Sequence, residues 1–475
     1  MRKTKIVCTL GPATNTYERI KALAENGMNV ARFNFSHGTH DSHLEMYKVL
    51  NKVRNELGIP IATVLDTKGP EIRLKKFVDG KVTLEDGQEF TLTTREVEGS
   101  SSIVSVDYAR LSEDLGDHKR ILIDDGLVEL EVLEKNETDI RTRVVSGGEI
   151  SDRKGVNLPG VSVTMPYMSE RDKEDILFGI RTGFDYIAAS FVRDRDDIDT
   201  LRAFLKENGG EHVRIISKIE NAQGVENIDE ITDASDAIMI ARGDMGVEIP
   251  FEEIPVLQKQ IIRLATMKGL QVITATQMLE SMVKNPRPTR AEITDVANAI
   301  YDGTSATMLS GETANGNHPV EALATMARII ERTEQDINYE KRFFERSSPE
   351  NSLDTITDAI SHATCLISYK MEATAIVSIT QSGTTAKMLS RFRPEIPIIA
   401  CTPEASTYRQ LSLSWGVSPV ITAAEKVTDT LMDQAVNNAV KTGILKEGDL
   451  CVVTAGVPLS ISGRTNLLKV VTVGE

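Results

Sequence analysis

The sequence predicts an α/β protein: a (β/α)8 TIM barrel with an inserted small β-barrel domain and a C-terminal open α/β domain. Three observations carry this. Short apolar runs rich in β-branched residues alternate with helical patterns, and eight such units follow one another. One stretch between the third and fourth runs breaks that rhythm and reads as hairpins. Beyond the eighth unit, a polar break introduces a new set of strands separated by helical segments.

The barrel runs are KIVCTL (5–10), NVARFNF (29–35), PIATVLDT (60–67), DYIAASF (185–191), RIISKIE (214–220), AIMIAR (237–242), QVITAT (271–276) and SATMLS (305–310). Between most of them lie amphipathic segments such as TYERIKALAENG (16–27). There Ile20, Leu23 and Ala24 share one helical face and Gly27 marks the stop. Residues 70–164 instead hold KVTLEDGQEFTLTT, SIVSV, RILIDDGLVELEVLE and DIRTRVVSGGEI. Their turns, Asp79-Gly80, Asp86-Gly87, Asp125-Gly126 and Gly147-Gly148, are hairpin signals. A helix-rich stretch (319–346) then leads to the polar break ERSSPENS (345–352). Strands follow at TAIVSIT (374–380), PIIACT (397–402), PVIT (419–422) and LCVVTAG (450–456). The expected division is a barrel at 1–69 and 165–342, an inserted β domain at 70–164 and a C-terminal α/β domain at 343–475.

Composition argues against several classes. A net charge of −16 repels nucleic acid and anionic membrane. A single Trp and 5% aromatic residues leave little for a base-stacking platform, so no nucleic-acid partner is expected. No run approaches the roughly 18 apolar residues of a membrane span. The first apolar run stops at Gly11-Pro12, too short for a signal core, so no membrane association is expected. Cys8, Cys365, Cys401 and Cys451 are scattered without a CxxC pair, which suits a reducing cytoplasm better than a disulfide or zinc framework.

In such a barrel the catalytic groups sit at the C-terminal strand ends. Those ends carry Arg32, Asn34 and Ser36; Asp66, Thr67 and Lys68; Lys218 and Glu220; Arg242, Gly243 and Asp244; Thr276 and Gln277; and Ser310 to Glu312. Glu220 and Asp244, on neighbouring strands, could share one magnesium ion, with substrate oxygens and water completing its octahedron. On spacing alone, two solvated or salt-bridged acids also fit. Lys218 precedes Glu220 on the same strand face, placed either to stabilise a phosphoryl group in flight or to pair with Glu220. Arg32, Arg73, Lys154 and Lys218 could form the cation cluster that an acidic protein needs for anionic substrates, or be ordinary surface charges. Asn34, Ser36, Asp66 and Thr67 offer oxygens for an alkali cation or for a local hydrogen-bond network. His37 in FSHG reads as a hydrogen-bonding residue rather than a base, and Asp124-Asp125-Gly126 as a hairpin turn.

Several strings occur together: KIVCTLGPAT (5–14), MNVARFNFSHG (28–38), DTKGPEIR (66–73), KGVNLPG (154–160), IISKIENAQG (215–224), ARGDMGVEIP (241–250), TATQMLESM (274–282), NPRPTRAE (285–292) and MLSGETA (308–314). With them the chain resembles the pyruvate kinase family along essentially all its length. SKIEN with ARGD, joined to NFSHG and DTKGPEIR in this order, is highly specific. The resemblance implies a catalytic barrel, an inserted lid, a C-terminal effector-binding domain and a homotetramer. It also implies that the extra C-terminal domain of some bacterial members is absent. The implied reaction moves the phosphoryl group of phosphoenolpyruvate to ADP, giving pyruvate and ATP, the last step of glycolysis. Mg2+ (or Mn2+) and K+ are the implied cofactors.

By motif match, Glu220 and Asp244 would bind magnesium. Arg32 would contact the phosphate of phosphoenolpyruvate, and Lys218 would stabilise the transferring group. Gly243, Asp244 and Thr276 would hold the carboxylate, with Thr276 near the carbon that is protonated. Asn34, Ser36, Asp66 and Thr67 would bind potassium; Asn34, His37, Arg73 and Lys154 would meet the nucleotide. Glu71 resembles the residue of potassium-dependent members, where Lys marks independent ones; its pairing with Arg73 or a nearby Lys is the alternative.

After the run 374–380, Gln381 to Thr385 precede a helical segment, a pattern of anion binding or of ordinary capping. With the resemblance, Thr380, Ser382, Gly383, Thr384 and Thr385 are the expected site of a phosphorylated allosteric effector. Arg464, in SISGRTN (460–466), would close over it. Two other classes remain open: a magnesium-dependent barrel lyase or aldolase acting on 2-oxo acids, and a catalytically silent sugar-phosphate sensor. The first would not need the lid, Lys154 or the potassium set. The second would tolerate loss of Lys218 or Asp244.

Overall fold

The barrel strands are β1 (Lys5–Leu10), β2 (Val30–Asn34), β3 (Ala62–Asp66), β4 (Tyr186–Ala189), β5 (Arg214–Ile219), β6 (Ala237–Ala241), β7 (Gln271–Ala275) and β8 (Ala306–Leu309). This is a computed structural model describing residues 2–346, 355–425, 427–457 and 464–475. The strands pair in parallel in sequential order, and β1 closes onto β8. Both faces are buried, which explains runs that read as continuously apolar rather than alternating. Val7, Val30, Val64, Ile216, Met239 and Ile273 form an inner cluster. The opposite set, with Ile6, Phe33 and Leu65, packs on the surrounding helices, and the helix Tyr17–Glu25 buries Ile20, Leu23 and Ala24 against it.

Three expected strand ends are corrected. Phe191 (φ 53) lies past the end of β4, and Thr276 (φ 66) with Gln277 (φ 55) past β7, all in left-handed conformation. Arg242 opens a helix, Arg242–Glu248, instead of ending β6. Left-handed non-glycine residues carry local strain that the surrounding structure must fix.

Between Ile72 and Asn157 the chain makes a seven-stranded and a two-stranded sheet over a separate core that includes Phe90, Leu92, Ile121 and Leu130. A bridge between Leu74 and Val106 joins the outer edges of the larger sheet. The all-β reading omits one short helix, Leu111–Asp114, whose Leu111 enters that core.

The C-terminal sheet comprises β9 (Ala375–Ile379), β10 (Ile398–Thr402), β11 (Val417–Ile421), β12 (Leu450–Ala455) and β13 (Leu467–Thr472), in the order β11-β10-β9-β12-β13. The strand β13, antiparallel to β12, is not among the predicted strands, and β11 begins at Val417 instead of 419. From residue 347 the expected polar break lies outside the described residues. The helix Ala405–Gln410 and the turn Leu411–Leu413 dock on the barrel floor. There Leu413 joins the inner barrel cluster, Arg409 pairs with Asp185 at 2.8 Å, and Lys5 Nζ donates to the Val417 carbonyl at 2.7 Å. Among the described residues no helix is long and apolar enough to cross a membrane.

Candidate active site

The C-terminal mouth of the barrel holds a buried chain of charges. Arg32, on β2, sets Nε 2.5 Å from Asp66 Oδ2 and donates from Nη1 to Thr9 Oγ1 at 3.0 Å. Asp66 ends β3, and its other oxygen lies 3.1 Å from Lys218 Nζ. Lys218, on β5, also reaches Glu220 Oε1 at 2.9 Å and donates to Ser190 Oγ at 2.7 Å. Ser190 in turn donates to the Thr67 carbonyl at 2.7 Å. Adjacent parallel strands deliver these groups to one level because β2, β3, β4 and β5 are neighbours in register.

Each partner sets the other's charge. Burial would raise the Asp66 carboxyl, but Arg32 and Lys218 outweigh it and hold it below the usual range. Burial would lower the Lys218 ammonium; Asp66 and Glu220 outweigh it and hold it above its ordinary value. Glu220 goes the other way. Burial pushes it upward; Lys218 opposes this and the charge of Asp244 adds to it. Two carboxylates on neighbouring strand ends, Glu220 and Asp244, are a donor set that fits a divalent cation. Among the described residues no group of three or more His, Cys, Asp or Glu forms a metal cage. A two-carboxylate site completed by substrate and water suits magnesium.

Beside this network, Thr276 Oγ1 accepts from the Gly243 amide at 2.8 Å and donates to the Ala275 carbonyl at 2.6 Å. Gly243 and Asp244 lie in the first turn of helix Arg242–Glu248. Arg242 itself is spent on structure, donating to the Thr276 carbonyl and pairing with Asp295, each at 2.7 Å. Asn34 and Asp66 are register partners at the ends of β2 and β3. Asn34 Oδ1 accepts from the Ser36 amide at 3.1 Å, and Thr67 Oγ1 donates to Ala188 at 3.2 Å. The four oxygen-bearing residues thus share one corner, with Asp66 already committed to two cations.

A cavity of about 440 Å³ separates the inserted sheets from the barrel, lined by His37, Arg73, Lys154, Asp124, Asp125 and Asp244 among others. Asn34 does not line it. Lys154 pairs with Asp124 at 2.8 Å, and Arg73 pairs with Glu71 at 2.6 Å. Lys68 also approaches Glu71, at 3.7 Å. The pairing of Glu71 with cations, foreseen as an alternative, is therefore present. Each of the four expected cations has a carboxylate partner. Sequence reasoning missed Ser190, which binds Asp66, Thr67 and Lys218 together through contacts with strands distant in the sequence. It also read Asp124 and Asp125 as a turn only. They are a turn, both at φ 55, but burial, Asp244 and Asp124 raise the Asp125 carboxyl inside the cavity.

A second cavity, of about 150 Å³, lies at the C-terminal end of β9, where the strand order reverses. Thr380, Ser382, Thr384, Thr385 and Arg464 line it. Gly383 (φ 85) caps the helix Thr384–Arg391 and donates its amide to Thr380 Oγ1 at 3.0 Å. Residues 460–463 of the expected closing loop lie outside the described residues.

Comparison with known proteins agrees with this fold. The family model for the pyruvate kinase barrel domain matches residues 1–323, and that for the pyruvate kinase alpha/beta domain matches residues 358–471. The chain is 48% identical to a pyruvate kinase of Clostridium acetobutylicum over 471 residues, 99% of each chain. It is also 48% identical to one of Geobacillus stearothermophilus, covering 100% of this chain and 81% of that one. A solved pyruvate kinase of Cryptosporidium parvum superposes with a TM-score of 0.93 at 38% identity, covering 99% of this chain and 96% of the other. Sequence and fold agree over nearly the whole length, and the chain belongs to the pyruvate kinase family of phosphotransferases.

Proposed function

We propose that the chain carries out the pyruvate kinase reaction through the Arg32–Asp66–Lys218–Glu220 network, the observation that carries this reading. Phosphoenolpyruvate and ADP are both anions, so their approach must be offset by fixed positive charge. Arg32 binds the phosphate, and Lys218 follows the phosphoryl group as charge spreads over its oxygens. The Gly243–Asp244 backbone and Thr276 orient the carboxylate. The terminal ADP oxygen attacks phosphorus in line, the bond to the enol oxygen breaks, and the enolate leaves. Protonation at its methylene carbon gives pyruvate, with Thr276 near that carbon. His37, Arg73 and Lys154 face the nucleotide, with Asn34 behind them.

Glu220 and Asp244 would hold Mg2+ or Mn2+, and Asn34, Ser36, Asp66 and Thr67 would hold K+; bound there, these ions neutralise phosphate charge. Residues 70–164 act as a lid that excludes water and suppresses hydrolysis, over a barrel at 1–69 and 165–342. Residues 343–475 form the regulatory domain, where the cavity at Thr380–Thr385 and Arg464 takes a phosphorylated effector. A cytoplasmic homotetramer completes the reading. The cavity under the lid and the placement of Lys154 disfavour a 2-oxo acid lyase. Retention of Lys218 and Asp244 disfavours a silent sensor.

The test is an assay coupled to lactate dehydrogenase, run with potassium and with a bulky inert cation at equal ionic strength. NADH consumption should require phosphoenolpyruvate, ADP and magnesium together, and should fall strongly without potassium. No turnover with all components present would overturn the catalytic reading. Equal rates in both salts would remove the potassium set alone.

A further inference from the structure

The turn bearing Ser36 and His37 is held from behind by a group outside the site. His43 lies in the helix His40–Leu57 and is 5% exposed. Its Nε2 is 2.8 Å from the His37 carbonyl oxygen. A carbonyl only accepts, so Nε2 carries a proton. Burial, the largest influence, lowers the pKa of the ring and favours its neutral form, although the bond to His37 opposes this. Nδ1 is then the bare nitrogen, and it is buried with no hydrogen-bond partner among the described residues.

The ring stacks on Phe35 at 4.2 Å and meets Phe33 edge-on at 6.1 Å. A Cβ built on Gly38 (φ 79) would lie 3.1 Å from Nε2. One imidazole therefore touches the start of the Phe35–Gly38 turn through stacking, its middle through a hydrogen bond and its end through close packing. The front of the turn is tied to the site itself. Phe35 donates its amide to the Asp66 carbonyl at 3.0 Å, and Ser36 donates to Asn34 Oδ1 at 3.1 Å.

We propose that His43 is a positioning residue for phosphoryl transfer, whose bond to the His37 carbonyl fixes the Phe35–Gly38 turn. It thereby sets Ser36 toward the potassium corner and His37 toward the nucleotide. The inference rests on the roles given to Ser36 and His37 above. His43 does not line the cavity under the lid, so its loss acts on cation and nucleotide affinity rather than on the chemical step. A merely structural helix residue would lower thermal stability and leave both affinities unchanged.

Steady-state kinetics and thermal melting of the parent, His43→Gln and His43→Leu test this. The glutamine amide can donate from near the Nε2 position; leucine fills volume and donates nothing. The leucine variant should raise the KM for ADP and the half-saturating potassium concentration about tenfold, the scale of one buried hydrogen bond. KM for phosphoenolpyruvate and kcat at saturation should stay within about twofold. Glutamine should restore most of the loss. If leucine does not fold, His43→Asn, too short to reach the carbonyl, takes its place with the same outcomes. Unchanged ADP and potassium affinities, equal rises for all three ligands, or identical behaviour of the glutamine and non-donating variants would overturn the proposal. A parent indifferent to potassium would refute the cation reading instead, and the ADP shift alone would then decide for or against His43.

Discussion

Lys218 shows how far residue-level reasoning reaches. Its spacing from Glu220 left two readings open, an ion pair or a group that follows the phosphoryl. In the structure it pairs with both Asp66 and Glu220 and is buried. A lysine whose burial is outweighed by two carboxylates stays charged throughout the working pH range, so it serves as a fixed cation and not as a proton donor. Lys218→Ala should therefore lower kcat by about 10³-fold while proton exchange at the pyruvate methyl group suffers less, since that exchange breaks no phosphorus bond. Near-normal turnover would leave only the structural ion pair. The strand-end residues were legible because a parallel barrel brings every C-terminal end to one face. Ser190 and Asp124 were not, because their roles depend on contacts with residues far away in the sequence. Ser190 meets Asp66 and Lys218 only once the barrel closes, and Asp124 meets Lys154 only once the strands beside them pair within the inserted sheet.

At the scale of elements, the strands were legible where both faces are buried and the helix after each is amphipathic. The misses have local causes. β13 (Leu467–Thr472) is partly exposed and antiparallel, so it lacks the strand–helix rhythm. Helix Arg242–Glu248 contains Gly243 and Gly246, which weaken any helical pattern. The helix Arg290–Asp302 starts with a capping box, Thr289-Arg290-Ala291-Glu292. Thr289 Oγ1 accepts from the Glu292 amide at 3.3 Å, and Glu292 accepts from the Thr289 amide at 2.7 Å. Glu292 also accepts from the Ser281 amide, at 2.7 Å, and so ties the loop after β7 to this helix. Burial would raise its carboxyl, but the bonds from Ser281 and Thr289 outweigh that and lower it. Glu292→Ala should cost about 1–2 kcal/mol at neutral pH. A depressed folded-state pKa means that this contribution is present above the ordinary Glu range and is lost as pH falls through the folded value. Denaturation of both proteins along the acid limb should show their gap closing; a constant gap would assign the loss to helix packing.

The whole molecule is organised around the barrel floor. A (β/α)8 barrel needs its lower end filled, and here the C-terminal domain fills it with Leu413. Around that side chain, Arg409 pairs with buried Asp185, and Gln410 donates to the His212 carbonyl at 2.8 Å. Thr407, in the same short helix as Arg409, donates to the Gln381 carbonyl at 2.9 Å, within the proposed effector loop. The loop at 381–385 and the barrel floor thus share contacts with one helix, so the two domains should unfold together in a single calorimetric transition. Asp185 sharpens the test. Burial raises its carboxyl even though Arg409 and Arg54 pull it down. A raised folded-state pKa means that Asp185 favours the fold most fully below its unfolded pKa, and that this contribution is lost as pH rises through the folded value. Removing Arg409 strips away the compensating charge, so Arg409→Ala should lower stability by about 3–5 kcal/mol near neutral pH. The deficit should shrink toward acid, where Asp185 protonates and needs no partner. Melting of parent and variant across that range measures it. A deficit independent of pH would mean that Arg409 contributes by packing, and that the charge pair is not what fastens the C-terminal domain to the barrel.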